Sequence, residues 1–238
     1  MDNDLIRVGI ISTKKYHNSR VEAINQTWGK GLLNLLYFTD ATEENDNRFL
    51  KLTRKNNYKF AYLKTIEGIK HFITKERVSD WYVICDDDTY IIYENLIKFL
   101  ENKNSDKAVL FGEVSNTWPI DRSLYYCLGG GGYVMSRRAI EQIYTKILEN
   151  PKLKGYCTDY TDVIVGQICR DKKIELIHSE LFHSQKPNHC DYLSQKLENT
   201  RNLRNQISFH YLSPKEFLEL NKLINVGNDT TGSQNDIF

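Results

Sequence analysis

The chain has 238 residues, 32 of them Lys or Arg and 31 Asp or Glu, for a net charge of +1. That balance argues against nucleic acid or another polyanion as partner, so a phosphate-bearing ligand must be met locally, by a cation or a few basic groups. Hydrophobic residues make up 40% of the chain, enough for a substantial core, yet no run approaches the ~20 apolar residues of a membrane-spanning helix.

Residues 5–12 (LIRVGIIS) read as a first strand, followed by the polar Thr13, Lys14 and Lys15 and by helical character over 20–28. A strand, a polar loop and a helix start form a common nucleotide-binding arrangement, because loop amides and helix N-termini attract phosphate or ribose oxygens. Neither a GxGxxG nor a Walker sequence is present. Residues 32–39 (LLNLLYFT) read as a second buried strand ending at Asp40, and 40–47 as an acidic loop. Over 60–75, Tyr62, Ile66, Ile69 and Ile73 recur at helical spacing. The next stretch, 81–90, reads WYVICDDDTY. Its aromatic and β-branched run suits a buried strand, and it ends abruptly in Asp86, Asp87 and Asp88. Three adjacent carboxylates are tolerable in water or around a hard divalent cation. Alternation along an extended segment points Asp86 and Asp88 the same way and leaves Asp87 for another partner.

Residues 93–100 read as a helix, 108–112 (AVLFG) as a buried strand and 115–122 as an irregular loop. Four glycines, Gly129 to Gly132, then run into an apolar strand. They serve either as a flexible turn or as a place where backbone approaches a ligand closely. A helix over 137–148 follows, then CTDYTD at 157–162 leading into the helical VIVGQIC. Asp159 and Asp162 are candidate carboxylates there, or simply helix caps. Residues 174–183 carry two histidines, His178 and His183, and ISFHY at 207–211 reads as a late strand. Ser213, Pro214 and Glu216 form a capping box that opens a last helix. The five cysteines lack metal-ligand spacing, so no zinc site is expected, while one or two disulfides stay open. Strands alternating with helices predict an α/β fold with a mixed, mostly parallel central sheet flanked by helices, in one domain over 1–226 with a disordered tail over 227–238. In such sheets ligands bind beyond the carboxyl ends of strands, where Ser12, Asp40 and Asp86 lie.

Six pieces occur in a recognisable order: TKKYHNSRVEAINQTW, LLYFTD, WYVICDDDTYI, GGGGYVMSRRAI, TDVIVGQI and LFHSQKP. With them the chain resembles the Fringe-type family of inverting β1,3-glycosyltransferases, which have the GT-A fold, over residues 5 to about 223. The C-terminal pieces are most similar to the β1,3-glucosyltransferase that extends O-linked fucose. The resemblance implies a UDP-sugar donor, a glycan or glycoprotein acceptor and a Mn²⁺ or Mg²⁺ ion. It implies that Asp86, Asp87 and Asp88 form the metal and nucleotide-sugar motif, with Asp88 and Asp86 as metal ligands together with His183. It makes Asp162 the catalytic base, with Asp159 the substitute because Thr161 stands where relatives often have a second acid. Thr13, Arg20, Asp40, Gly130 and Gly131 match positions near the nucleotide-sugar. A catalytically silent sugar- or nucleotide-binding module is the alternative. The relatives are anchored in the secretory pathway, so a Golgi or ER lumen is expected for a piece of such an enzyme and the cytoplasm for a complete chain.

Overall fold

A computed structural model describes residues 5–55, 60–187 and 205–229. Strand β1 (Ile6–Ile11) is followed by a 3-10 turn (Lys14–Tyr16), a π-helical turn (His17–Val21) and helix α1 (Glu22–Gln26). The chain continues through β2 (Leu35–Thr39), β3 (Phe49–Lys51), α2 (Ala61–Thr74), β4 (Trp81–Asp86), β5 (Tyr90–Ile91) and α3 (Tyr93–Leu100). Then come β6 (Val109–Gly112), β7 (Val114–Ser115), β8 (Tyr126–Cys127), β9 (Tyr133–Ser136), α4 (Arg137–Glu149) and α5 (Thr161–Lys172). The last elements are β10 (Glu175–His178), β11 (Phe182–His183), β12 (Ser208–Phe209) and α6 (Pro214–Asp229).

Among the described residues the central sheet has seven strands in the order β10-β6-β9-β4-β1-β2-β3. All neighbours are parallel except β9, which runs antiparallel between β4 and β6. Both faces are covered, which explains why the strands read as unbroken apolar runs. Along β4, Trp81, Val83 and Cys85 enter one cluster and Tyr82 and Ile84 the other. The first cluster is closed by Ile24 of α1, Leu96 of α3 and Phe217 of α6. The second is closed by Ile69 of α2, Ile143 of α4 and Ile168 of α5. Two small sheets sit at the margin: the β7–β8 hairpin and the set β11-β12-β5.

The α/β architecture and the sheet type agree with the sequence reading, and the capping box is formed. Ser213 N–H donates to Glu216 Oε2 at 2.7 Å. Two boundaries differ. The first helix begins earlier, with the π-helical turn at His17, and ends at Gln26. The last helix runs through Asp229, so residues 227–229 are helical where a tail was expected; 230–238 lie outside the described residues. Among the described residues Cys85, Cys127, Cys157 and Cys169 are free thiols; Cys190 lies outside them. No described helix is long and apolar enough to cross a membrane.

Candidate active site

β1 and β4 are in register with Ile11 opposite Asp86, so the residues that follow each strand emerge side by side at the carboxyl edge of the sheet. Ser12 Oγ there donates to Asp87 Oδ2 at 2.7 Å. β4 itself ends at Asp86, and the next two aspartates occupy a turn closed by Thr89 N–H donating to the Asp86 carbonyl at 3.2 Å. The turn separates the carboxylates. Asp87, 4% exposed, is taken by Ser12 and by Arg20, whose Nη1 lies 2.8 Å from Asp87 Oδ1. The same nitrogen is 3.2 Å from Asp88 Oδ2, and the guanidinium lies over the Tyr16 ring at 4.2 Å. Asp87 is therefore a buried anchor for the turn.

Asp86 and Asp88 face His210, the residue after β12. Its Nε2 is 3.1 Å from Asp88 Oδ1 and 3.8 Å from Asp86 Oδ2. Its backbone N–H donates to the Gln185 carbonyl at 3.1 Å, and the Leu212 amide, two residues on, donates to the Asp88 carbonyl at 3.1 Å. One ligating atom from each of Asp86, Asp88 and His210 falls within 4.8 Å of the others. Two carboxylate oxygens and an imidazole nitrogen suit Mn²⁺ or Mg²⁺, so this donor set fits such an ion.

The charges are tightly balanced. Burial, the negative charge of Asp88 and lesser neighbours push Asp86 up to about 7, against the pull of His210. Burial also works to raise Asp88, but the hydrogen bond and charge of His210, with Arg20, hold it below the usual carboxylate range. Burial works to lower His210, and Asp88 and Asp86 together outweigh it, so its pKa lies above the ordinary histidine value. Protons offset the negative charge of such a cluster, and a bound cation would take their place.

Two joined pockets open here. The larger, of about 520 Å³, is lined by Ser12, Thr13, Tyr16, Arg20, Lys64 and all three aspartates, among others. The smaller, of about 250 Å³, is lined by Asp86, His210, Gly129, Gly130, Thr161 and Asp162, among others. Asp162 stands in the first turn of α5. Its Oδ2 accepts from Gly129 N–H at 3.2 Å and its Oδ1 from Val163 N–H at 2.9 Å. Burial raises its pKa, with those amides opposing, which makes a carboxylate a stronger base.

Of the residues expected from sequence, Asp86, Asp87, Asp88, Thr13, Arg20, Gly130 and Asp162 line these pockets. Asp159 is exposed and lines neither. Asp40 lines neither pocket and ties the loop after β1, accepting Lys14 N–H at 3.0 Å and lying 3.7 Å from Lys64 Nζ. The glycines make room for the protein itself. A Cβ on Gly130 would fall inside the His210 ring, and one on Gly131 would meet the His183–Ser184 backbone at 3.1 Å.

The histidine beside the aspartates is His210, not His183. His183 sits in β11, where its Nε2 is 2.6 Å from Gln206 Oε1 and its ring stacks on Phe209 at 5.0 Å. His178 accepts from Val114 N–H at 3.1 Å, a structural role. Sequence reasoning also missed Ser12 as partner of Asp87, and the buried Lys64, whose Nζ donates to the Ser12 carbonyl at 2.6 Å. The signal for His210 was present in ISFHY, a histidine at the end of a short strand.

A profile of the Fringe-like family matches residues 1–233. Human beta-1,3-glucosyltransferase is 30% identical over 209 residues, covering 86% of this chain and 39% of that protein. The beta-1,3-N-acetylglucosaminyltransferase lunatic fringe of Xenopus laevis is 23% identical, covering 88% of this chain and 59% of that one. The chain thus spans less than two thirds of the length of these relatives. A solved structure of the galactosyltransferase LgtC with donor and acceptor sugar analogs is similar at a TM-score of 0.50 and 12% identity. That match covers 91% of this chain and 95% of that one, and it shows a shared GT-A fold.

Proposed function

The chain belongs to the Fringe-like family, and from that premise we propose that it moves a hexose (Glc, GlcNAc or Gal) from a UDP-sugar to a hydroxyl of a glycan or glycoprotein acceptor in β1,3 linkage, with O-linked fucose one candidate acceptor. The observation that carries this reading is the meeting of a cation-fitting cluster and a separate half-buried carboxylate, Asp162, across two joined pockets. Asp86, Asp88 and His210 would hold Mn²⁺ or Mg²⁺, which supplies positive charge to a diphosphate leaving group when bound. Ser12 and Arg20 keep Asp87 fixed, so that the turn presents its two neighbours to the pocket. Arg20 also offers the larger pocket a cation for phosphate oxygens. Asp162 takes the proton from the acceptor hydroxyl as its oxygen attacks the anomeric carbon on the face opposite UDP. The C–O bond to the diphosphate breaks as the new bond forms, so one displacement inverts the anomeric centre and no second, nucleophilic carboxylate is needed.

Asp88→Ala and Asp162→Asn, assayed with Mn²⁺ for UDP release and for UDP binding, separate the two roles. Asp88→Ala should lose metal-dependent UDP binding. Asp162→Asn should keep that binding and lose turnover by about 100-fold or more, the range of a general base. Full activity in both variants would overturn the assignment. A wild-type chain that binds UDP but turns over none of UDP-Glc, UDP-GlcNAc and UDP-Gal would favour a silent binding module, the reading that Thr161 in the smaller pocket supports.

A further inference from the structure

Tyr211 follows His210 and has a backbone φ of 60°, in the left-handed region. A bulky aromatic side chain rarely adopts that conformation, which costs free energy that the surroundings must supply. Here they do so through the backbone on each side. His210 N–H is held by the Gln185 carbonyl and Leu212 N–H by the Asp88 carbonyl. The turn at Tyr211 lets both bonds form. Glycine or asparagine would make that turn with less strain. Nor does burial explain a tyrosine, because 54% of it is exposed. One side of the ring lies against the His210 ring, with centroids 3.8 Å apart.

The position of the ring supplies what packing does not. Ile11, Ala61, Asp86, His210 and Tyr211 line both pockets, so they mark the seam between them. If the diphosphate lies in the larger pocket and the acceptor hydroxyl near Asp162 in the smaller, the sugar in transit crosses this seam. Among the described residues there, Tyr211 alone offers a phenol ring. The apolar C–H face of a pyranose packs well on such a surface.

We propose that Tyr211 is a substrate-contacting residue whose ring forms the wall against which the transferred hexose of the donor packs. This rests on the transferase reading above. The test uses Tyr211→Asn, which removes the ring and suits the left-handed backbone, and Tyr211→Phe, which keeps the ring. Binding is measured by calorimetry with Mn²⁺, for UDP and for whichever of UDP-Glc, UDP-GlcNAc and UDP-Gal the wild type binds most tightly. Tyr211→Asn should leave the melting temperature unchanged or raised and UDP affinity within about twofold, while weakening UDP-sugar by about five- to tenfold, the size of a lost aromatic contact. Tyr211→Phe should stay within about twofold of wild type for both ligands. Equal weakening of UDP and UDP-sugar in Tyr211→Asn would overturn the proposal, since the ring would then act through His210. So would unchanged affinity for both, or a Phe variant as weak as the Asn variant. A wild type that binds UDP but none of the three UDP-sugars would overturn the sugar contact alone. One that binds neither would overturn the transferase reading on which it rests.

Discussion

Gly130→Ala is the most selective perturbation the site offers. Gly130 does not have a positive φ, so alanine meets no backbone strain. The obstacle is the His210 ring: an alanine Cβ would fall inside hard contact of its Nδ1 and Cε1 and lie 2.8 Å from its Cγ. Neither partner can retreat freely. The Gly130 carbonyl accepts from Thr89 Oγ1 at 2.8 Å. The ring is bounded by Asp88 Oδ1 at 3.1 Å, the Ser184 carbonyl at 3.2 Å and the Tyr211 ring. Overpacking of this kind costs about 1–3 kcal/mol. In a chain of this size that is a fall in Tm of about 2–4 °C per kcal/mol. The larger effect is expected at the candidate cation site, because the ring that must give way is the one paired with Asp88. Gly129→Ala is the control: its Cβ would lie 3.5 Å from Asp162 Cβ, an ordinary contact. A thermal-shift titration with Mn²⁺ and UDP should show wild-type stabilisation in Gly129→Ala and little or none in Gly130→Ala. A Gly130→Ala protein with the wild-type Mn²⁺ response, or a Gly129→Ala protein equally impaired, would refute the reasoning.

Metal affinity should depend on pH with a definite sign. Asp86, with its pKa near 7, is protonated below that pH, so a cation must displace its proton. Apparent Mn²⁺ affinity should fall by about tenfold per pH unit below 7 from this group alone, and level off above it. His210, whose pKa is also raised, should steepen the fall, and calorimetry in buffers of different ionisation enthalpy should detect the released protons. Exchanging the two candidate histidines gives a second check: His210→Ala should abolish Mn²⁺-dependent UDP binding, whereas His183→Gln should retain it and lose only stability. Ser12→Ala should leave Asp87 short of one hydrogen bond in a buried place. The expected cost is about 1–3 kcal/mol, read by denaturant unfolding.

The central strands were legible because the sheet is buried on both faces, and that condition writes itself into sequence as unbroken runs such as WYVIC. Several strands were missed, because they fail that condition or, like β5 and β11 with two residues each, are too short to show it. β3 lies at the sheet edge with only Phe49 buried among its three residues. β7 and β8 have two residues each, and β7 is only half-buried. Their pairing is set by the hairpin that joins them and not by any periodicity. The long amphipathic helices were legible for the opposite reason, since each buries one stripe: Ile66, Ile69 and Phe72 of α2 all face the same cluster.

The site was legible where a motif is local and illegible where register decides. The separate direction of Asp87 followed from sequence in outline, although a turn and not strand alternation produces it. The choice between His183 and His210 could not follow. β11 and β12 are parallel neighbours, with His183 opposite Phe209. One histidine is in this small sheet and the other directly follows it, 27 residues apart in sequence. His183 lies within the ladder, where its ring is committed to Phe209 and Gln206. His210 is one residue beyond the ladder. There the chain bends at Tyr211, and the imidazole comes free of the sheet to meet Asp88. The β11–β12 register decides which side chains stay within the ladder. Two short strands carry too few residues for hydrophobic pattern to specify that register. It is held instead by contacts distant in sequence: β12 pairs with β5, just after the aspartates, and Leu212 N–H bonds the Asp88 carbonyl. The aspartate turn therefore helps select its own histidine.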